Sequence, residues 1–489
     1  MPPFISEKIA KRTLRDIEFI HKQIRRFAIM SFEEEKAYLR RHPTASFCQI
    51  PHPNGSGHLL CGNLAWEKVR AITNIVVELD RDLGRRVSRE QIAGMVTKAF
   101  TLRVLASESA PCIQTAVDLL EDVLVSIRNS LRVNEHYLPC ILFPTEGPDE
   151  FQVGPVTFTR KIKFFRDKKV ALRHSIDTET KSHIEHVKAH IARGFCADQA
   201  FSEIDSRNFI RRLHARAIRT YRTYPWIASV RVAECDEDTS LCRATQAVEM
   251  AIHVLRIILG GEHTRKIRLA WSKSEALRTA HLKSDSSYTI SASIGTNSMG
   301  PVGLINWHKA LVRSSRELEV LGSSLQSIVE PQEINHLHHR LLDAINWFGD
   351  AATDSNRSAS IVKYTSAIER LLFGEFQQGR RKLFSNRIKS ILNAFDSDAD
   401  GKSHQKALEV YDKRSLLVHG EWHESRQDVD AAADLSRICI LCAAELYLLM
   451  LRMYKNPGPA VIEEAMNRIS NEGLDWLLPE AQESLVIDS

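Results

Sequence analysis

Residues 411 to 422 read YDKRSLLVHGEW, an arginine and a histidine on either side of a bulky apolar trio, with a glycine directly after the histidine. On an ideal helix each residue turns about 100°, so Leu416, Leu417 and Val418 point in three directions and leave little of the circumference to water. The stretch is therefore expected to be buried nearly all round. Arg414 lies three residues after Tyr411 and four before Val418, so its stem joins an apolar stripe and its guanidinium needs an acceptor or a dry interface. A structural ion pair with Glu369 would meet that need, and so would a catalytic role. His419 lies five residues beyond Arg414 and so points about 140° away. Two routes bring the pair together: the helix ends at Gly420 and frees the histidine, or a second copy of the chain supplies the complementary residue. A histidine so late in a helix also serves ordinary packing and capping.

Outward from this stretch, apolar spacing draws five helices between 331 and 455. Leu337, Leu341, Ile345 and Phe348 mark the first, Ile361, Tyr364, Ile368 and Leu371 the second, and Phe384, Ile388, Ile391 and Phe395 the third. The fourth carries the quoted stretch, and the fifth runs from about Asp428 to Tyr454, giving a bundle of ordinary size. DSDADG at 396 to 401 resembles a calcium loop only superficially, because the closing glutamate is missing at the required spacing. NPGP at 456 to 459 closes the bundle, and 456 to 489 reads as a short tail.

Upstream, residues 1 to 137 read as a helical region. Ser6 can cap a helix through Ile17, Ile20, Ile24 and Phe27, and Ser88 with Gln91 opens another in capping-box fashion. Residues 138 to 330 read as an α+β region, in which Pro and Gly turn signals separate runs rich in Val, Ile, Phe and Thr between about 138 and 175. A weaker alternation at 286 to 295 predicts one more strand. Within NFIRRLHARAIRTYRTYPW, Arg211, Arg212, Arg216, Arg219 and Arg222 stand near Tyr221, Tyr224 and Trp226, a combination able to neutralise phosphates and stack bases; a solvated helix face is the plain alternative. The fold class is thus mainly α, a C-terminal helical bundle joined to a larger N-terminal α+β region with a small sheet.

Composition narrows the function classes. Lys plus Arg exceed Asp plus Glu by five, 66 against 61, so overall charge does not single out a nucleic-acid binder and local patches must carry that case. Nine scattered cysteines fit reduced thiols in a cytoplasm better than a disulfide framework. Cys439 and Cys442 form a CxxC inside ICILCAAELYLLM, where both face a helical core rather than a metal. The N-terminus lacks the apolar run of a signal peptide, and the most apolar late segment, 438 to 454, contains Glu445 and Arg452, so no membrane span is expected.

KYTSAIERLL followed by YDKRSLLVHG, after an AINWF helix, resembles the HEPN superfamily and in particular its Apea-like branch of bacterial phage-defence proteins. The family motif is an arginine, four to six residues and a histidine, often with a polar residue after the arginine. Arg414, Ser415 and His419 match it with four residues between, and the likeness spans roughly 331 to 455. It implies a metal-independent ribonuclease without a cofactor, with RNA as substrate and an active site formed across a homodimer or higher homo-oligomer. It further implies a variable N-terminal region that senses a trigger, such as a phage-derived component, or selects RNA.

In that chemistry RNA brings its own 2′-hydroxyl nucleophile. His419 would transfer protons, Arg414 would hold the phosphate, Ser415 would orient it, and Glu369 would position Arg414. A HEPN module that only binds RNA or protein, and a purely helical adaptor, are the competing readings.

Overall fold

Ser6 accepts the backbone N–H of Ile9 and starts the helix Glu7–Ala28, whose Ile17, Ile20, Ile24 and Phe27 all point inward. The computed structural model describes residues 5–55, 57–107, 109–144, 146–192, 203–270, 278–284, 290–296, 306–330, 335–374, 379–398, 401–420, 425–454 and 457–477. The chain is mainly helical with small antiparallel sheets, the class its periodicity predicts. It divides into two compact units, each assembled from separate stretches: Met1–Asn134, Lys168–Ile218 and Val232–Cys242 in the first, and Glu135–Asp167, Arg219–Arg231 and Arg243–Ser489 in the second.

In the first unit the helices Glu7–Ala28, Gly62–Leu79, Arg89–Phe100 and Ile113–Ser130 share one apolar core, with Ile20, Ile72, Val96, Leu120 and Val123 fully buried. β1 (Gln49–Pro51) and β2 (His58–Leu60) pair antiparallel as a short hairpin. Ser88 accepts the Gln91 N–H and starts its helix, but the reciprocal half of the expected capping box is replaced: the Ser88 N–H and hydroxyl both donate to Asp236, and the Gln91 amide donates to Asp238.

The principal sheet has five strands in the order β4, β5, β6, β3, β7, with β3 at Arg132–Ile141, β4 at Glu150–Val153, β5 at Val156–Arg160, β6 at Trp226–Cys235 and β7 at Arg268–Leu269. Two differences from the sequence reading have local causes. KIKFF, expected as strand, begins the helix Lys161–Asp167, because β5 stops at Arg160. β6 went unpredicted because only the short turn at 223–225 parts it from the arginine-rich helix, yet it pairs with β5 from Val156↔Val230 to Arg160↔Trp226 and forms the sheet's centre. The alternating segment near 290 is strand β9 (Ile290–Thr296), paired antiparallel with β8 (Arg278–Ser284).

The bundle helices are His336–Thr353, Arg357–Leu372, Arg380–Ala394, Ser403–Val418 and Arg426–Met453. The predicted apolar stripes of the first three are buried, save Phe395, which is half-buried. Tyr447 on the fifth donates to the Leu371 carbonyl at 2.6 Å, pinning it to the end of the second. Cys439 and Cys442 are buried free thiols in that fifth helix. Asp398 of the calcium-like loop instead accepts the Ser403 hydroxyl at 2.6 Å and starts the fourth helix.

Past residue 455, where a short tail was expected, a sixth helix spans Pro459–Glu472. It is fastened from within: Arg387, almost wholly buried, pairs with Glu463, which also accepts the Gly374 N–H at 2.6 Å. A buried guanidinium left without its carboxylate is costly, so this pair binds the sixth helix to the third. Among the described residues, no helix is long and apolar enough to cross a membrane.

Candidate active site

The fourth bundle helix ends where the glycine allows it to. Val418 is its last residue, His419 is the C-cap with φ −89°, and Gly420 takes φ +77°, a left-handed conformation that costs an L side chain energy. The Gly420 N–H reaches back to the Leu417 carbonyl at 3.1 Å, and the His419 N–H donates to the Ser415 carbonyl at 3.2 Å. His419 is therefore exposed at the helix end rather than packed into the bundle.

Burial of the quoted stretch departs from expectation. Leu416 and Leu417 are only half-buried, and Val418 is 56% exposed. The cause is position: the helix packs on its neighbours through Ala407 and Val410, and its last turn emerges from the bundle.

Glu369 and Arg414 do meet. Glu369, near the end of the second helix, places Oε2 3.7 Å from Arg414 Nη2, with side-chain exposures of 14% and 28%. The separation is an ion pair and longer than a hydrogen bond. Arg414 Nε and Glu369 Oε1 are buried and have no hydrogen-bond partner among the described residues. A second guanidinium stands on the other side of the same carboxylate, Arg380 Nη1 at 3.9 Å from Oε1. The Tyr411 ring lies 5.9 Å from the Arg414 guanidinium and 5.1 Å from the Phe384 ring. Burial pushes the Tyr411 phenol above its ordinary value, the Glu369 charge adds to this, and Arg414 and Arg380 oppose it. Four side chains from three helices thus share one electrostatic environment.

Among the described residues, no hydrogen bond or ion pair joins His419 to Arg414. Ser415 is half-buried beside Arg414. Lys413, one position earlier, is turned to Asp428, which also completes a capping box with Ser425 at the start of the fifth helix. Sequence spacing pointed to Glu369 and Arg414 but missed Arg380 and the electrostatic part of Tyr411. GRRK at 379 to 382 advertises basic residues at a helix start without indicating which of them faces Glu369. The structure sends the next arginine elsewhere, Arg381 pairing with Asp412.

The arginine-rich segment forms the helix Glu203–Arg222. Arg211, Arg212, Arg216, Arg219 and Arg222 are all exposed and fall within about 140° of its circumference, opposite buried Ile210. Two of the three expected aromatic partners, Tyr221 and Trp226, are engaged elsewhere. Trp226 is 0% exposed and donates its Nε1–H to the Phe143 carbonyl at 2.9 Å, and Tyr221 is half-buried with its hydroxyl on the Tyr137 carbonyl at 2.6 Å. Trp226 is a core residue because the helix gives way to β6 just before it. Among the described residues, no group of three or more His, Cys, Asp or Glu side chains is gathered as metal ligands would be.

No family model matches the chain, and no curated protein or solved structure shows significant similarity to it.

Proposed function

We propose that the bundle is a HEPN-type, metal-independent endoribonuclease acting through Arg414 and His419. The observation that carries this reading is the Glu369–Arg414 pair: a guanidinium held by a loose carboxylate contact yet still open to solvent, on the helix whose exposed end bears His419. A purely structural pair gains from tight, hydrogen-bonded geometry, whereas a phosphate-binding arginine must keep N–H groups available.

The 2′-hydroxyl attacks the adjacent phosphorus as its proton passes to a base, and the P–O5′ bond breaks as the 5′-oxygen takes up a proton. The products are a 2′,3′-cyclic phosphate and a 5′-hydroxyl. His419 transfers a proton in this step, Arg414 stabilises the charge on the phosphate, Ser415 orients that phosphate, and Glu369 positions Arg414. Among the described residues no hydrogen bond or ion pair joins Arg414 to His419, and in this reading the complete site forms where two copies meet. The half-exposed Leu416, Leu417 and Val418 supply apolar area for that contact. The cellular role is antiviral defence or toxin-like growth arrest in the cytoplasm, with residues 1 to 330 sensing a trigger such as a phage-derived component. Arg211, Arg212, Arg216, Arg219 and Arg222 contribute sequence-independent RNA contacts.

The Glu369–Arg414 pair equally favours one other reading, a HEPN module that binds RNA or protein without cleaving. Incubation of the purified chain with total RNA, beside His419→Ala, separates the two. The catalytic reading expects cyclic-phosphate ends that persist in EDTA and fall by about a hundredfold or more in the variant. Equal cleavage by both proteins would refute the His419 role, and loss in EDTA would refute the metal-free mechanism.

A further inference from the structure

In the first unit, a cleft of about 460 Å³ lies between the short helical turn Pro43–Phe47 and the start of the helix Gly62–Leu79. Asn63, Trp66, Glu67 and Arg70 are spaced to share one face of the longer helix, and that face lines the cleft together with Phe47 and Cys48. Phe47 is 82% exposed and Trp66 half-buried, and neither ring stacks on another among the described residues. Both rings therefore have aromatic surface for a planar ligand to stack on.

The polar groups beside them are arranged with equal economy. Burial raises the Cys48 thiol above its ordinary value, against the opposing charge of nearby Arg70, so at neutral pH it keeps its proton. It donates that proton to Asn63 Oδ1 at 3.3 Å, which fixes the amide and leaves its NH2 group to donate elsewhere. Glu67 and Arg70 are exposed and form no ion pair among the described residues, so a carboxylate and a guanidinium are both available.

A nucleotide presents the matching groups: a flat base, polar atoms along its edge and an anionic phosphate. We infer that this cleft is a nucleotide-binding site, with the base stacked on Phe47 and Trp66, Asn63 and Glu67 reading its edge, and Arg70 holding the phosphate. The volume lies within the usual range of small-ligand sites, about 300–1,000 Å³. A carboxylate only accepts hydrogen bonds, so Glu67 favours a base with an amino group, such as adenine or cytosine, over uracil. Binding here requires no cleavage by the bundle, and the ribonuclease reading can fail without it.

Calorimetric titration of the full chain with AMP, CMP, UMP and adenosine tests the assignment. AMP and CMP are expected to bind at one site, and UMP about tenfold more weakly. Phe47→Ala, at a side chain too exposed to support the core, should weaken AMP about tenfold, the scale of one stacked base. Arg70→Gln should also weaken AMP about tenfold but leave adenosine unchanged, because only the phosphate meets the guanidinium. Glu67→Gln should narrow the gap between CMP and UMP, a change that loss of structure would not produce. Thermal melts accompany each protein, and if the alanine variant does not fold, Phe47→Leu takes its place.

The same chemistry suits one nucleotide of an RNA strand, so an uncleavable 2′-O-methyl RNA oligonucleotide is titrated in parallel. Mononucleotide binding that needs Phe47 and Arg70 assigns the site to a free nucleotide. Binding of the oligonucleotide alone, with the same dependence, assigns it to a strand. Affinities unchanged in Phe47→Ala and Arg70→Gln, or no binding of either kind of probe, overturn the inference.

Discussion

Arginines gather twice in this protein, and the two settings differ in what holds them. On the helix Glu203–Arg222, five of them are spread over one exposed face. At the end of the bundle, Arg380 and Arg414 are drawn to a single carboxylate from different helices, with most of each side chain covered. The first setting produces a positive field that any polyanion would feel and that salt would screen. The second fixes charge at one place, as a reaction needs, because a preformed site does not have to reorganise when charge develops. If the comparison is sound, substitutions in the second setting should damage chemistry and stability, and substitutions in the first should change only affinity.

The largest effect is expected at Arg414. Arg414→Ala should reduce RNA cleavage by about a hundredfold or more while the chain stays folded, and Arg414→Lys should restore little, since lysine cannot present two parallel N–H donors. Cleavage rates on a defined RNA, with circular dichroism on the same samples, check both statements. Near-wild-type activity in the lysine variant would reduce Arg414 to a point charge and blur the distinction between the two settings.

Glu369 should give the next largest effect. Glu369→Gln keeps the shape but removes the carboxylate charge that Arg414 and Arg380 both approach. A loss of about 1–3 kcal/mol in unfolding free energy is expected, the usual cost of an uncompensated, partly buried charged group. Urea denaturation reads it directly. A loss below about 0.5 kcal/mol, the range of an ordinary surface change, would mean that the bundle arginines are as solvated as those of the exposed helix.

How much of this was legible beforehand follows from how far apart the contributing residues lie in sequence. The five bundle helices were readable because each keeps its apolar residues on one face, as Ile361, Tyr364, Ile368 and Leu371 do. The Glu369–Arg414 pairing was within reach for the same reason, since two helices known to share a bundle offer few acidic partners. β6 was not legible, because its turn signal, Pro225, sits at the end of the aromatic- and arginine-rich run and its partner β5 lies some seventy residues upstream. Arg380 and Arg381 are neighbours of the same type, and only tertiary packing sends one to Glu369 and the other to Asp412. The exposure of Val418 escaped the sequence as well: three adjacent apolar residues promise burial, but the helix outruns the neighbours that would provide it.

The exposed helix should respond more gently. Changing Arg212, Arg216 and Arg219 to Gln together should lower the salt slope of RNA binding by up to about 0.7 for each phosphate no longer neutralised, and leave unfolding within about 0.5 kcal/mol of wild type. Cleavage at saturating RNA should be unchanged. A fall in the saturated rate would show that this face contributes to the reaction and does not merely attract substrate.

The smallest effect concerns the Asp428 carboxylate, which holds the fourth helix to the fifth. Burial raises its pKa, but hydrogen bonds from Lys413 and Ser425 outweigh that and leave it below the ordinary carboxylate value. A carboxyl depressed in the folded state stabilises the fold above its unfolded pKa, where it is ionised in both states, and loses that contribution as pH falls through its folded pKa. Asp428→Asn should therefore lower the urea midpoint at neutral pH and lose its disadvantage once acid has protonated the wild-type carboxyl as well. A difference between the two proteins that persists unchanged under acid would assign the effect to the amide's fit in the capping box rather than to the charge. The comparison between fixed and solvated charges would then rest on Glu369 alone.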